Sequence, residues 1–100
     1  MAEALLMEFD PQDGKDARQE YATVMTELAL GDEIPAGAIS HAAVVSAAGG
    51  LVVFELWESR VAQERFMEDR LAAALERAGA SDPVRVEWFE VVGTVNAPPG

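Results

Sequence analysis

The chain contains no cysteine, which excludes disulfides, thiolate nucleophiles and thiolate metal sites together. It has a single histidine, and its carboxylates follow no metal-ligand spacing. No glycine-rich loop connects a strand to a helix, because Gly49 and Gly50 fall in a turn between two strands. A serine triad would have to use the one histidine without a nucleophile elbow. The sequence therefore predicts neither a metal nor a cofactor.

Basic residues are also scarce. Seven Lys and Arg stand against 18 Asp and Glu, which gives a formal net charge of −11. Nucleic acids and anionic membranes both require a basic surface, so neither is expected as a partner. The first ten residues carry acids where a signal peptide carries bases, and no apolar run approaches the roughly 20 residues of a membrane span. We therefore expect a cytoplasmic location.

The length of 100 residues supports one domain with a modest core, and half of the residues are hydrophobic, which argues against disorder. We predict a single domain over residues 1–95, followed by a flexible Pro-rich tail over 96–100. For so short a chain, association of subunits is a common way to bury more surface.

A strand that leads directly into a helix dominates the pattern. The run LVVFELW, residues 51–57, is β-branched or bulky almost throughout, which is typical of a strand covered on both faces. Ser59 is placed to cap the N-terminus of a helix over Arg60 to Ala78, and Gly79 can end it.

The remaining elements follow from periodicity and from breaks at Gly and Pro. We predict a first strand over residues 4–9, a turn at Asp13 and Gly14, and a helix over residues 16–30. A second strand is predicted over residues 38–47. The last strand is predicted over residues 84–95 and would extend past the body of the domain. The AAGG segment joins the second strand to residues 51–57 as a hairpin.

The order βαββαβ predicts an α+β fold of the ferredoxin-like, split-βαβ type. In this fold, two helices cover one face of a four-stranded antiparallel sheet. The central strand is apolar on both faces, so the other face of the sheet needs a cover as well. We predict that a second copy supplies it, in a homodimer that forms an α/β barrel, with the long last strand reaching across.

Three segments carry a resemblance to a known superfamily: PAGAISHAAV, VVFELWESRVAQERFMEDRLAAAL and VEWFEVVGTV. The chain resembles the dimeric α/β-barrel superfamily, and is similar to its antibiotic biosynthesis monooxygenase-like members. The resemblance implies a small-molecule cavity between sheet and helices, and a cofactor-independent monooxygenase or polyketide cyclase acting on an aromatic or polyketide-type substrate. The monooxygenases of the group use Asn, Trp and Arg around the substrate, but the only asparagine here is Asn96. Haem-degrading members use a helical histidine, which neither predicted helix contains.

His41 and Glu55 are the candidate catalytic residues. An imidazole titrates near neutral pH and can act as a general base or acid. Glu55 interrupts an apolar strand, where it could move a proton or could pair with Arg85 or a backbone N–H. An odd hairpin loop or a bulge would place His41 and Glu55 on the same face, whereas a two- or four-residue loop would separate them. The sequence leaves both choices open.

Candidate substrate-binding residues come from the aromatic side chains. They could line a cavity that stacks a planar ligand, or they could be ordinary core. Arg85 could meet a ligand carboxylate or pair with Glu87 or Glu55. The set is Tyr21, Trp57, Phe66, Trp88 and Arg85.

Three functions fit these residues: a cofactor-free enzyme on a small hydrophobic or aromatic molecule, a non-catalytic binder that uses the same cavity, and an association subunit whose cavity is filled by its own side chains. The second strand contains many alanines, which leave room and favour a cavity.

Overall fold

The computed structural model describes residues 2–10, 16–31 and 33–95. The predicted turn at Asp13 and Gly14 and the predicted tail over residues 96–100 lie outside these ranges. The predicted βαββαβ order is confirmed. Its elements are β1 (Glu3–Phe9), α1 (Ala17–Leu28), β2 (Ala38–Val45), β3 (Leu51–Trp57), α2 (Arg60–Phe66), a π-helical turn (Met67–Leu71), α3 (Ala72–Ala78) and β4 (Arg85–Glu90).

The four strands form one sheet in the order β2-β3-β1-β4, and every neighbouring pair is antiparallel. β3 lies inside the sheet between β2 and β1, as its apolar composition predicts. The helices cover one face, so the ferredoxin-like α+β fold is confirmed. No helix in the described part of the chain combines the length and apolar character needed to cross a bilayer.

Side chains of β3 alternate between the two faces of the sheet. Leu51, Val53, Glu55 and Trp57 are buried and face the helices. Phe54 points to the other face and is 44% exposed. The helix-facing side chains of β1 and β3 pack with α1 into a hydrophobic core, whose buried members are Leu5, Met7, Ala17, Leu51 and Val53.

Both predicted caps of the second helix are confirmed. The Ser59 hydroxyl accepts the Ala62 N–H at 3.2 Å, and Gly79 ends α3 with a left-handed φ of 64°. α1 begins after Asp16, whose carboxylate accepts the Arg18 N–H, so both helices start at a side-chain acceptor.

The second helix is not the uniform α-helix that the sequence predicts. Between α2 and α3 the chain makes a π-helical turn, in which the Ala72 N–H donates to the carbonyl of Met67, five residues back. The sequence carries the corresponding signal, because the apolar residues Phe66 and Leu71 are five residues apart rather than four.

The prediction that the last strand continues to Val95 is wrong. β4 ends at Glu90, which pairs with Glu3 at the start of β1. One further hydrogen bond joins the Val91 N–H to the Ala2 carbonyl at 3.2 Å. Beyond this point β1 offers no partner in the described chain, so the apolar residues that follow cannot extend the sheet.

Candidate functional site

A cavity of about 310 Å³ lies between the sheet and the helices. Its volume falls at the lower end of the range of about 300–1,000 Å³ for small-molecule sites. The wall is largely apolar and draws on β1, α1, β3 and the second helix. Representative lining residues are Met7, Val24, Met25, Val53, Phe66 and Leu71.

The π-helical turn forms part of this wall. Its first and last residues, Met67 and Leu71, both line the cavity, as do Phe66, just before the turn, and Leu75 in α3. In an α-helix, residues five apart are rotated by about 140° relative to each other, so Phe66 and Leu71 would face different sides. The wider turn brings both side chains to the cavity.

The hairpin between β2 and β3 fixes the position of the histidine. Val45 pairs with Leu51, so the loop over residues 46–50 has an odd number of residues. Ser46 closes it, because its hydroxyl accepts the Gly50 N–H at 3.1 Å. This register places His41 directly opposite Glu55, on the face covered by the helices. The question that the sequence left open is answered by the length of this loop.

Four side chains form a continuous chain of hydrogen bonds at the cavity wall. The Tyr21 hydroxyl lies 2.6 Å from Nε2 of His41, and Nδ1 of His41 lies 2.7 Å from Oε2 of Glu55. The indole N–H of Trp57 donates to Oε1 of Glu55 at 3.0 Å. Glu55 is only 8% exposed, so these partners satisfy a carboxylate that would otherwise be buried unpaired. We call this set the Tyr21–His41–Glu55 relay, with Trp57 as its terminal donor.

Tyr21 and His41 also stack, with ring centroids 5.8 Å apart and ring planes at 16°. Burial raises the pKa of Tyr21 above its usual value of 10.0, and the negative charge of Glu55 raises it further. Tyr21 therefore keeps its proton at neutral pH and can act as a donor or as a neutral acceptor.

Five of the seven sequence-predicted site residues come together here. Tyr21, His41 and Glu55 are hydrogen-bonded, and Trp57 and Phe66 line the same cavity with ring centroids 5.8 Å apart. Sequence reasoning missed that Trp57 is a partner of Glu55. The signal available was their spacing, because residues two positions apart on one strand point to the same face of the sheet.

The other two predicted residues lie elsewhere. Trp88 faces the helices but is not part of the cavity wall; it packs against the core and carries the Arg60 guanidinium 5.1 Å above its ring. Arg85 lies on the opposite face of the sheet, where it bonds to Glu8 at 3.0 Å and to Glu87 at 2.8 Å. Neither side chain reaches the relay, since β4 is the strand farthest from β2.

The described residues contain no group of three or more His, Asp or Glu side chains arranged to hold a metal ion.

Comparison with known proteins identifies the fold. No family model matches the chain, and no curated protein matches its sequence. Among solved structures, a candidate antibiotic biosynthesis monooxygenase from Chloroflexus aurantiacus superposes with a TM-score of 0.75 at 13% identity, over 96% of this chain and 98% of that one. Rv0793 from Mycobacterium tuberculosis gives 0.72 at 22% identity, over 96% and 100% of the two chains.

A third solved structure is SnoaB from Streptomyces nogalater, described as a cofactor-independent oxygenase. It gives a TM-score of 0.69 at 14% identity, over 96% of this chain and 98% of that one. The chain thus has the fold of the antibiotic biosynthesis monooxygenase-like proteins. At these identities the likeness concerns the fold, and the site must be judged on its own residues.

Proposed function

We propose that the protein is a cofactor-independent enzyme, monooxygenase-like or cyclase-like, that binds an aromatic or polyketide-type substrate in the cavity and begins the reaction by removing a proton from it. The observation that supports this most directly is the Tyr21–His41–Glu55 relay, which opens on an apolar cavity of about 310 Å³. A buried carboxylate, a histidine and a hydroxyl in series are the elements of general acid–base catalysis.

The cavity wall limits the class of substrate. Methionine, aliphatic and aromatic side chains surround the space, with Phe66 available for ring contacts. The carboxylate of Glu55 and the net charge of −11 both oppose an anionic ligand. These features favour a neutral, planar molecule of two or three fused rings.

Proton removal would proceed along the relay, from the substrate to Tyr21 and from Tyr21 to His41. A phenolic O–H or an activated methylene of the substrate gives its proton to the oxygen of Tyr21, while the proton of Tyr21 moves to Nε2 of His41. The imidazolium that results is paired with Glu55, which lowers the free energy of the charge that forms. The substrate anion left in the cavity is the electron-rich form that can react with dioxygen or add to a carbonyl carbon.

A non-catalytic binder is the second candidate, and it rests on what the cavity lacks. No asparagine stands between residues 1 and 95, and Arg85 points to the other face of the sheet. The pattern of polar groups that the resemblance implies for an oxygenase is therefore incomplete. This favours a cyclase or a binder over an oxygenase.

The test is turnover of a set of fused-ring phenols in air and under argon. We expect the wild-type protein to consume at least one of them, and His41→Ala to reduce the rate at least about 100-fold, the lower range of general-base effects. Thr23→Ala, on an exposed side of α1, is the matched control and should leave the rate unchanged. Binding without turnover would reject the enzyme and support the binder.

We also propose that the functional form is a homodimer. The sheet face that carries no helix exposes Val44 (55%), Phe54 (44%) and Phe89 (40%). Arg85 on this face is paired with Glu8 and Glu87 of its own chain, so its positive charge is matched within the subunit and the three groups together keep a net charge of −1. A second copy, related by a twofold axis, matches such a surface with itself.

A further inference from the structure

Trp57 does more than line the cavity. It is 2% exposed, and its indole N–H is a donor with no acceptor capacity, directed at Oε1 of Glu55. The two residues alternate on β3, so their side chains leave the strand on the same face. Trp57 therefore occupies one oxygen of the carboxylate and leaves the other to His41.

This donor is suited to an ionised carboxylate. Hydrogen bonds donated to a carboxylate stabilise its ionised form, and charge-assisted bonds of this kind are the stronger ones. An ionised carboxylate can only accept hydrogen bonds. Since Nδ1 of His41 lies 2.7 Å from Oε2 of Glu55, that ring nitrogen must carry the proton.

The direction of the remaining bonds follows. A neutral imidazole has one donor and one acceptor nitrogen, so Nε2 of His41 is the acceptor. The Tyr21 hydroxyl, 2.6 Å away, then donates its proton to Nε2. Its oxygen has acceptor capacity left, but no proton to give to a ligand.

The indole is held in this position by its neighbours. The ring of Phe66 lies against it, with the two ring planes tilted at 36°. Gly37 covers it from the loop before β2: a Cβ added there would lie 4.0 Å from Cε3 of Trp57 and 2.5 Å from Cβ of Ala62. The loop backbone and α2 thus confine Trp57 to one orientation.

We infer that Trp57 is a positioning residue that sets the polarity of the relay, so that the ligand group meeting Tyr21 must be a hydrogen-bond donor. Phenols, enols and acidic C–H groups meet this requirement, and ethers or ketones at the same place do not. The ligand part of this inference rests on the proposed function, because it requires that the cavity be the ligand site. The tautomer of His41 and the role of Trp57 do not depend on it.

The experiment compares Trp57→Phe with Trp88→Phe. Both replace a tryptophan that faces the helices, but only Trp57 touches Glu55 and the cavity. The first readout uses no ligand: nitrogen-correlated NMR of the single histidine reports which ring nitrogen carries the proton. We expect the Nδ1–H tautomer in the wild type and in Trp88→Phe, and a mixture of tautomers in Trp57→Phe.

The second readout is the dissociation constant of a naphthol relative to that of its methyl ether. In the wild type and in Trp88→Phe, the naphthol should bind about tenfold more tightly, which is the net effect of one hydrogen bond. In Trp57→Phe this ratio should fall below about threefold, because the relay no longer has a fixed direction.

Retention of both the tautomer and the ligand preference in Trp57→Phe would overturn the inference. If that variant does not fold, Glu55→Gln replaces it. The amide of glutamine can donate to Nδ1 of His41, so the histidine should change to the Nε2–H tautomer. The preference for the naphthol over its methyl ether should then fall. An unchanged tautomer in Glu55→Gln would also overturn the inference. If neither probe binds the wild type, the proposed ligand site is rejected, while the tautomer still decides the role of Trp57.

Discussion

His41 and Glu55 lie directly opposite each other on paired strands, with Nδ1 of the imidazole 2.7 Å from Oε2 of the carboxylate. The contact joins an exposed residue of the edge strand β2 to a buried residue of the interior strand β3. It therefore serves two purposes: it satisfies a buried charge, and it connects that charge through the imidazole to a hydroxyl at the cavity.

Replacement of Glu55 by Ala should destabilise the fold. The change leaves the indole N–H of Trp57 without its acceptor in a buried site, and removes the anchor of His41. We expect a loss of about 1–3 kcal/mol in the free energy of unfolding, measured by urea denaturation. Glu58→Ala, at the exposed position just after β3, should change it by less than about 0.5 kcal/mol. Equal losses in the two variants would contradict the assigned role of Glu55.

The ionisation of Tyr21 can be followed directly, because it is the only tyrosine in the chain. We expect its tyrosinate absorbance to appear with a midpoint above pH 10.0, owing first to burial and second to the charge of Glu55. In Glu55→Gln the midpoint should move down but stay above 10.0, since the larger cause remains. Glu58→Gln is the control and should leave it in place.

The raised pKa of Tyr21 also makes the free energy of unfolding depend on pH. A pKa that is higher in the folded than in the unfolded chain means that, above pH 10, the unfolded state binds fewer protons than the folded state. The stabilising contribution of Tyr21 is thus complete below pH 10 and is lost as the pH rises through the folded-state pKa. Tyr21→Phe should flatten this part of the stability curve. A midpoint at or below 10.0 in the wild type would reject the buried environment assigned to Tyr21.

The order of elements could be predicted from the sequence because it depends on local signals. An apolar run of β-branched residues, a serine before a helix and a glycine after it act over a few residues, and Ser59 and Gly79 hold the predicted positions. The helix-facing cavity was expected from the resemblance of three segments to a known superfamily, and not from these local signals.

The parts that could not be predicted depend on contacts across the chain. The register of the hairpin depends on which residues pair across its turn, and Val45 pairs with Leu51 while the Ser46 N–H donates to the Gly50 carbonyl at 2.8 Å. The end of β4 depends on where β1 begins. The contact of Tyr21 with His41 joins a helix to a strand 20 residues further along, so no local pattern contains it.

Gly37 should tolerate no side chain. Its φ of 87° is left-handed, and a Cβ would lie 2.5 Å from Cβ of Ala62 on α2. Gly49 has the same φ of 87° but no atom within 4 Å of an added Cβ, so it isolates the backbone effect. Gly49→Ala should cost about 1–2 kcal/mol and Gly37→Ala clearly more, by urea denaturation. Ala62→Gly should cost less in the Gly37→Ala background than in the wild type, where the helix loses about 1 kcal/mol by the replacement of alanine with glycine. Equal losses in the two single variants would mean that the loop does not close on α2 and Trp57.

The open face of the sheet provides the last prediction. Phe54 is 44% exposed on this face and Val61 is 54% exposed on α2, so the two positions are matched in exposure but lie on different surfaces. If a second copy covers the sheet, Phe54→Asp places a carboxylate in a desolvated interface, where an unpaired charge is strongly unfavourable. Sedimentation velocity at micromolar concentration should then give a dimer for the wild type and for Val61→Asp, and a monomer for Phe54→Asp. A wild-type monomer, or a dimer that Phe54→Asp leaves intact, would mean that a second copy does not cover this face.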